Sequence, residues 1–290
     1  MEHDFTKRPR GTQMSVLYEE HLVLGANFLD RIGDRPAQVS SYADAQGELQ
    51  ALKHGTILCE LSRLTTLLFS GAAAEGFAHA AFAGEDLQVG SCRPEAVFMG
   101  DGRLASVPVL ARTGDSEFAV FDLSQTSQLL ASWLSFLSNV ESGGVAPYAD
   151  LTAENVTGAL VPLLLAGTEA QHVLEDYLRD GQTLPFNHEV KDIRLDGRIA
   201  AVVMREDLLK RPCYLVLVPP QEARTIWRSL LSFQEVTPVG MAPLTDYARG
   251  ILKWPNLLDD SENNLSLAEL QAYGIVRGSD DFVGARGLKR

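Results

Sequence analysis

The residues best equipped for chemistry in this sequence are scattered. Cys59, Cys92 and Cys213 are far apart and form no CxxC pair. An odd, widely spaced set gives neither a disulfide framework nor a zinc knuckle, so buried free thiols in a reducing compartment are expected. The six histidines are His3, His21, His54, His79, His172 and His188. No two stand four residues apart, the spacing by which a helix offers two imidazoles to one metal. His21 and His172 fall on predicted helix faces, as structural or surface residues. The stretch "LLDDSENN" around Asp259 and Asp260 is rich in oxygen, but it lacks the glycine turn and closing glutamate of a calcium loop. The nucleophile, zinc and phosphate motifs GxSxG, HExxH and GxxxxGK[ST] are absent, and no GxGxxG follows a first strand. The segment "GDGRLASVPVLAR" reads as a hairpin arm, with Asp101-Gly102 as its tight-turn pair. An aspartate in such a turn is a structural residue by default.

These groups need elements to position them. "SVLYEEHLVLGANFLD" places Val16, Leu17, His21, Leu24 and Phe28 near helical spacing. "SSYADAQGELQALKHG" predicts a helix stopped by Gly55, and "TILCELSRLTTLLFSG" carries strand material up to Ser70-Gly71. "AAAEGFAHAAFAGE" fits a short helix. "EAVFMGDGRLASVPVLARTGDSEFAVFDLS" predicts three strands in a meander, and "SQLLASWLSFLS" an amphipathic helix. The second half repeats the theme. "ALVPLLLAG" is a buried strand, and "TEAQHVLEDYLRD" a helix with Thr168 as its N-cap. "IAAVVMRED" and "PCYLVLVPP" are strands, and "QEARTIWRSLLSF" is a helix. From Pro238 onward, short helices and loops are expected. Strand pairs followed by helices, twice over, predict an α+β fold with antiparallel sheets rather than a Rossmann sheet.

With 290 residues, 46% hydrophobic, the chain has ample material for a large core. Its net charge of −13 argues against nucleic acid and against an anionic membrane surface. The basic "TKRPRG" near the start reads as a solvated tail. No run of 18 apolar residues predicts a membrane span, and the charged start does not resemble a signal peptide. A soluble cytoplasmic protein is the expectation.

Several segments resemble the glycine cleavage T-protein, or aminomethyltransferase, family. "LYEEHLVLGANFLD" is similar to the family's "LYexHxxlGAkfvdf". "ALKHGTILCELSRLTTLLFSGAAAEGF" resembles "AVRxxaGlFDvSHMgexxvxGpdAexF", and "GTEAQHVLEDYL" resembles "GPxAxxvLxxl". "LVPPQEARTIWRSLL" is similar to "yvPpexaxxlWxxLl". "LLDDSENNLSLAEL" and "DDFVGARGL" resemble "ELdedtnPLeAGL" and "gdFiGreaL". The match is collinear from about residue 16 to 288. It implies a folate-binding domain of intertwined subdomains over 16–290, with a tail at 1–15. Antiparallel ferredoxin-like sheets would surround a central cavity that holds tetrahydrofolate. Usual members add a small C-terminal β-barrel; this chain stops at Arg290, so the barrel is expected to be absent.

The functional signatures of the family are altered. Its hairpin "GGxxDDLivY" carries an acid that polarises folate nitrogens, and here the aligned pair is Ala105-Ser106. A neutral hydroxyl does not replace an ionised acid. "RTGYTGEDGFE" becomes "MREDLLKRPCYLV", Met204 to Val216, in which Arg205 persists and the pterin-clamping glutamate falls on Leu215. "ARDxLRLEaG" becomes "APLTDYARG", with Tyr247 at the folate-facing arginine and Arg249 close by. The iron–sulfur branch motif "KGCYxGQE" is missing; "KRPCY" around Cys213 shares only its Cys-Tyr pair. The resemblance therefore implies a tetrahydrofolate-dependent aminomethyl- or methyltransferase with a diverged site. Ser106 and Tyr247 are the catalytic candidates. Arg205, Asp207 and Arg249 are the candidates for holding folate or a substrate carboxylate, with no metal ligand among them. The alternatives are a non-catalytic binding or assembly subunit, with a partner or carrier supplying missing elements, and a demethylase of a methylated small molecule.

Overall fold

The computed structural model describes residues 15–28, 37–42, 44–141, 143–252 and 266–289. The "TKRPRG" tail and the acidic stretch at Asp259 and Asp260 lie outside them. Two sheets dominate. The larger has six strands in the order Glu189–Leu195, Ile199–Arg205, Cys213–Val218, Val161–Gly167, Thr56–Glu60 and Val236–Pro238. The smaller has five, in the order Thr152–Asn155, Thr65–Ser70, Glu117–Asp122, Val109–Gly114 and Cys92–Pro94. Neighbouring strands are antiparallel, as expected, apart from Val236–Pro238, which runs parallel to Thr56–Glu60.

The sheets pack face to face, with helices on the outer face of each. Period-2 alternation explains this layering. In Cys213–Val218, the residues Tyr214, Val216 and Val218 join a core under the helices Ala170–Glu175 and Pro220–Leu230. Their neighbours Cys213, Leu215 and Leu217 face the other sheet, against Val109, Ala111, Ala119 and Phe121. The helices Ala74–Ala81 and Ser127–Ser138 cover the far face of the five-stranded sheet through Phe77, Leu130 and Leu134. In Pro220–Leu230, the buried positions Ala223, Ile226, Trp227 and Leu230 follow the i, i+3, i+4, i+7 spacing of one helix face. Asp44 caps Ala45–His54 by accepting from Gly47 N at 2.9 Å, and Gly55 ends that helix as expected.

Two sequence expectations change. The meander contains four strands, because Val97–Phe98 and Leu104–Ser106 pair as a separate ribbon. Ala170–Glu175 is capped at Glu169 rather than Thr168, and Glu169 N donates to Thr56 Oγ1 at 2.8 Å. The two sheets are also joined through the main chain. Cys92 N donates to His188 O at 2.9 Å, Val190 N donates to Gly90 O at 2.9 Å, and Ser91 bridges Glu189. The C-terminal segment is held by Arg277, whose buried guanidinium donates to the carbonyls of His79, Phe82 and Gly84, at 2.9, 2.7 and 2.9 Å. Among the described residues no helix is long and apolar enough to cross a membrane.

Candidate active-site cleft

Between the sheets lies a cleft with two compartments. The inner one, about 80 Å³, is walled by apolar side chains that include Leu61, Val107, Phe121, Leu164, Met204 and Leu215. Glu206 is its one ionisable carboxyl group. The outer one is far larger, about 750 Å³, and its wall includes Cys92, Arg93, His188, Asp207, Lys210 and Tyr273. Glu206 and Leu208 line both, so the carboxylate stands at the boundary.

Strand register puts a histidine beside it. Glu189 pairs with Arg205 in antiparallel register, so the residues just beyond, His188 and Glu206, meet. His188 Nδ1 lies 2.8 Å from Glu206 Oε2. The hydrogen-bond pattern assigns the tautomer. Asp207 N donates to Asn187 Oδ1 at 2.9 Å, which turns the amide Nδ2 toward His188 Nε2 at 3.1 Å. Nε2 therefore accepts, and in the neutral ring the proton sits on Nδ1 and is donated to Glu206. Oε1 of Glu206 has no hydrogen-bond partner among the described residues. Burial pushes the Glu206 carboxyl above its ordinary range, opposed by the hydrogen bond from His188. His188 also has a left-handed backbone, φ 69°, which a residue with a Cβ adopts at a cost of about 1–3 kcal/mol. Its backbone is pinned on both sides, by N–H donation to Arg205 O and acceptance from Cys92 N.

The five residues singled out from sequence fall in several places. Asp207 lines the outer compartment. Arg205 forms a two-pronged ion pair with it, at 3.0 and 2.9 Å, and lies over the Tyr214 ring at 5.3 Å. Tyr214 belongs to the core under the outer helices, so Arg205 is on the sheet face opposite the cleft. Ser106 is buried; its hydroxyl donates to Asp122 Oδ2 at 2.8 Å and lies 3.1 Å from Ser124 Oγ. Tyr247 accepts from Arg211 at 3.2 Å, and Arg249 pairs with Asp246 at 3.2 Å. Neither lines either compartment. Leu215, at the position of the family's clamp, is on the inner wall. Glu206, His188, Arg93 and Lys210 escaped the sequence reading. The detectable signal for the first two was the register of a hairpin whose first strand, Glu189–Leu195, was not recognised.

The other polar groups have different roles. His21 is buried, with Nε2 2.7 Å from Glu60 and Nδ1 2.9 Å from the Tyr42 hydroxyl. All three cysteines are free and buried, as expected. Burial raises the Cys213 thiol to about 12, so it is no nucleophile at neutral pH. No group of three or more potential metal ligands occurs among the described residues. Asp101 pairs within its own turn, with Arg103 Nε at 2.7 Å.

Two sheets face to face, antiparallel but for one edge strand, clad in helices and enclosing a cleft, define the class of this molecule as a mixed α/β two-sheet fold. More particularly, the chain belongs to the GCVT N-terminal domain family, whose model matches residues 17–256. Its fold matches the glycine cleavage system aminomethyltransferase T from Bartonella henselae. The TM-score is 0.77 at 18% identity, over 96% of this chain and 74% of that one. A chain of the heterotetrameric sarcosine oxidase from Corynebacterium sp. U-96, in complex with pyrrole 2-carboxylate, is also similar. There the TM-score is 0.46 at 14% identity, over 76% of this chain and 93% of that one. No curated protein matches the sequence.

Proposed function

We propose that the chain binds a folate in the inter-sheet cleft and serves one-carbon transfer with a rebuilt site. The observation that carries this reading is the division of the cleft at Glu206. A folate needs room for a flat ring system, an acceptor for its N–H edge and cations for its glutamyl carboxylates. The outer compartment has about 750 Å³, within the range of small-molecule sites. Glu206 offers the acceptor, while Arg93 and Lys210 offer the cations. The inner compartment, at about 80 Å³, is too small for a fused bicycle. The residues therefore fit folate in the outer space. Bound folate would supply nitrogens that accept a one-carbon unit. The chain's own residues would orient it, keep water from the apolar side, and hold a negative charge at Glu206.

The aminomethyl reaction is a different matter. The hydroxyl of Ser106 is committed to Asp122 and Ser124, and Leu215 offers no acceptor. Efficient glycine-cleavage turnover is not expected. That same commitment favours, as a second reading, a non-catalytic subunit that keeps the fold. Calorimetric titration with tetrahydrofolate and its 5-methyl form separates the two. The first reading expects binding by the wild type, weakened by Arg93→Ala and Lys210→Ala; no binding leaves the second. An assay of methylene-tetrahydrofolate formation from an aminomethyl-lipoyl donor should give turnover well below that of an ordinary aminomethyltransferase.

A further inference from the structure

We propose that the inner compartment is the seat of a small N-alkylated ammonium ion, with its N–H on Glu206 Oε1 and its alkyl groups against the apolar walls. This names a substrate class for the cleft and rests on reading the cleft as a ligand site.

Size comes first. An apolar cavity of about 150 Å³ accommodates benzene. The inner compartment has about 80 Å³, enough for roughly three or four heavy atoms in all, the nitrogen included. Charge comes second. Among the residues lining this space, Glu206 is the only one with a formal charge; the others are Leu, Val, Phe, Met and Cys. A buried carboxylate with one free oxygen and a wall of hydrocarbon selects a ligand that is cationic and alkylated at once. A neutral hydrocarbon leaves the carboxylate unpartnered, and a larger polar cation leaves its own donors unpartnered. Phe121 adds a π face, which attracts alkylated ammonium groups.

Orientation comes third. His188 occupies Oε2 and is itself fixed by Asn187, so Oε1 remains as the open acceptor, with one lone pair for the amine on the inner side and one for the folate edge on the outer side. The other charges near Glu206 are largely matched. Asp207 is paired with Arg205, and Arg93 is 3.9 Å from Glu95. Lys210 is exposed on the wall of the outer space, where an anionic tail would meet it. The Cys92 thiol nearby is held protonated by burial and then by Glu206 itself. Two residues of the outer wall, His188 and Lys210, hold a left-handed backbone, φ 69° and 58°, as expected where a conformation serves a site.

The test is a ligand-observed NMR titration of the full chain with trimethylammonium, tetramethylammonium and tert-butanol, the last as a neutral mimic of similar shape. Trimethylammonium should bind the wild type, and at least tenfold more weakly to E206Q. Tetramethylammonium, lacking an N–H, should bind more weakly than trimethylammonium, and tert-butanol should be indifferent to E206Q. Leu215→Phe, which fills the compartment, should abolish amine binding and leave the tetrahydrofolate titration unchanged. It also serves as the second variant if circular dichroism shows E206Q to be unfolded. Equal affinity of wild type and E206Q for trimethylammonium, or none by the wild type, overturns the proposal. Folate binding without amine binding overturns this inference alone. Amine binding lost in E206Q, with no folate binding, overturns the folate reading alone.

Discussion

The molecule contains two histidine–glutamate pairs of nearly equal length and opposite character. His21 and Glu60 meet at 2.7 Å with side chains 1% and 5% exposed. His188 and Glu206 meet at 2.8 Å with side chains 59% and 8% exposed. In the first, every polar atom has a protein partner. Glu60 Oε1 accepts from Ser15, Oε2 faces His21, and the second imidazole nitrogen meets the Tyr42 hydroxyl. The ring also stands edge-on to Trp227, 4.9 Å between centroids. In the second, one carboxylate oxygen is left over, and it borders a cavity. The same two residue types thus make a closed joint in one place and an open socket in the other. What separates them is not the pair but the count of neighbours able to finish it.

That contrast can be broken experimentally, most severely at the closed pair. Glu60→Ala strands His21 Nε2 in the interior. Removing one partner of a buried pair costs about 3–5 kcal/mol, and denaturant unfolding should register a loss of that order. An unchanged midpoint would show that this network contributes no stability.

The next test uses a carboxyl with no histidine at all. Glu95 is buried, its Oε1 has no hydrogen-bond partner and only Arg93 Nε at 3.9 Å as counter-charge, and burial raises it to about 8. A group raised in the folded state contributes stability below its unfolded value and loses it as pH climbs to the folded one. Wild-type stability should therefore fall between about pH 4.5 and 8 relative to Glu95→Gln. Parallel pH profiles of the two proteins would refute this.

Glu206→Gln should show the same sign, with a smaller total change, because His188 opposes the effect of burial. The wild type should lose ground to this variant as pH rises above the ordinary carboxylate range, as read from Tm in buffers on either side of it. Arg205→Ala sharpens the comparison further. It frees Asp207 and loosens the loop, so some stability should go. Because Arg205 is on the face away from the cleft, trimethylammonium affinity should hold within about twofold, well below the tenfold effect of a charged hydrogen bond. At the bottom of the scale, Asp101→Asn should leave Tm and ligand affinity unaltered, since its partner Arg103 is exposed and local.

Much of the frame is legible in the residues themselves. Gly55 after a helical run, Pro219-Pro220 before "EARTIWRSLL", and alternation in "CYLVLV" each specify an element without tertiary information. Glu189–Leu195 is not legible in this way. Its apolar residues Val190, Ile193 and Leu195 serve both faces, Val190 toward the cleft and the others toward the helices, so no simple period-2 pattern appears. The site suffers from a related ambiguity. "IAAVVMR" is apolar on both faces, and parity tells which residues share a face but not which face meets the other sheet. Met204 and Glu206 face the cleft, and Arg205 between them faces away. A one-residue alternation, invisible without the partner sheet, decides which side chain is available to a ligand.

The main-chain seam through Gly90–Cys92 and His188–Val190 has a mechanical consequence. It sews the two sheets together along one margin, directly behind the carboxylate, as a spine holds the leaves of a book. Thermal breathing of the interior should then be angular, widest far from the spine and least beside it. The amide protons of Cys92 and Val190 should be among the slowest to exchange with deuterium. Glu206, set close to the axis of that motion, would keep its position while the walls on either side swing.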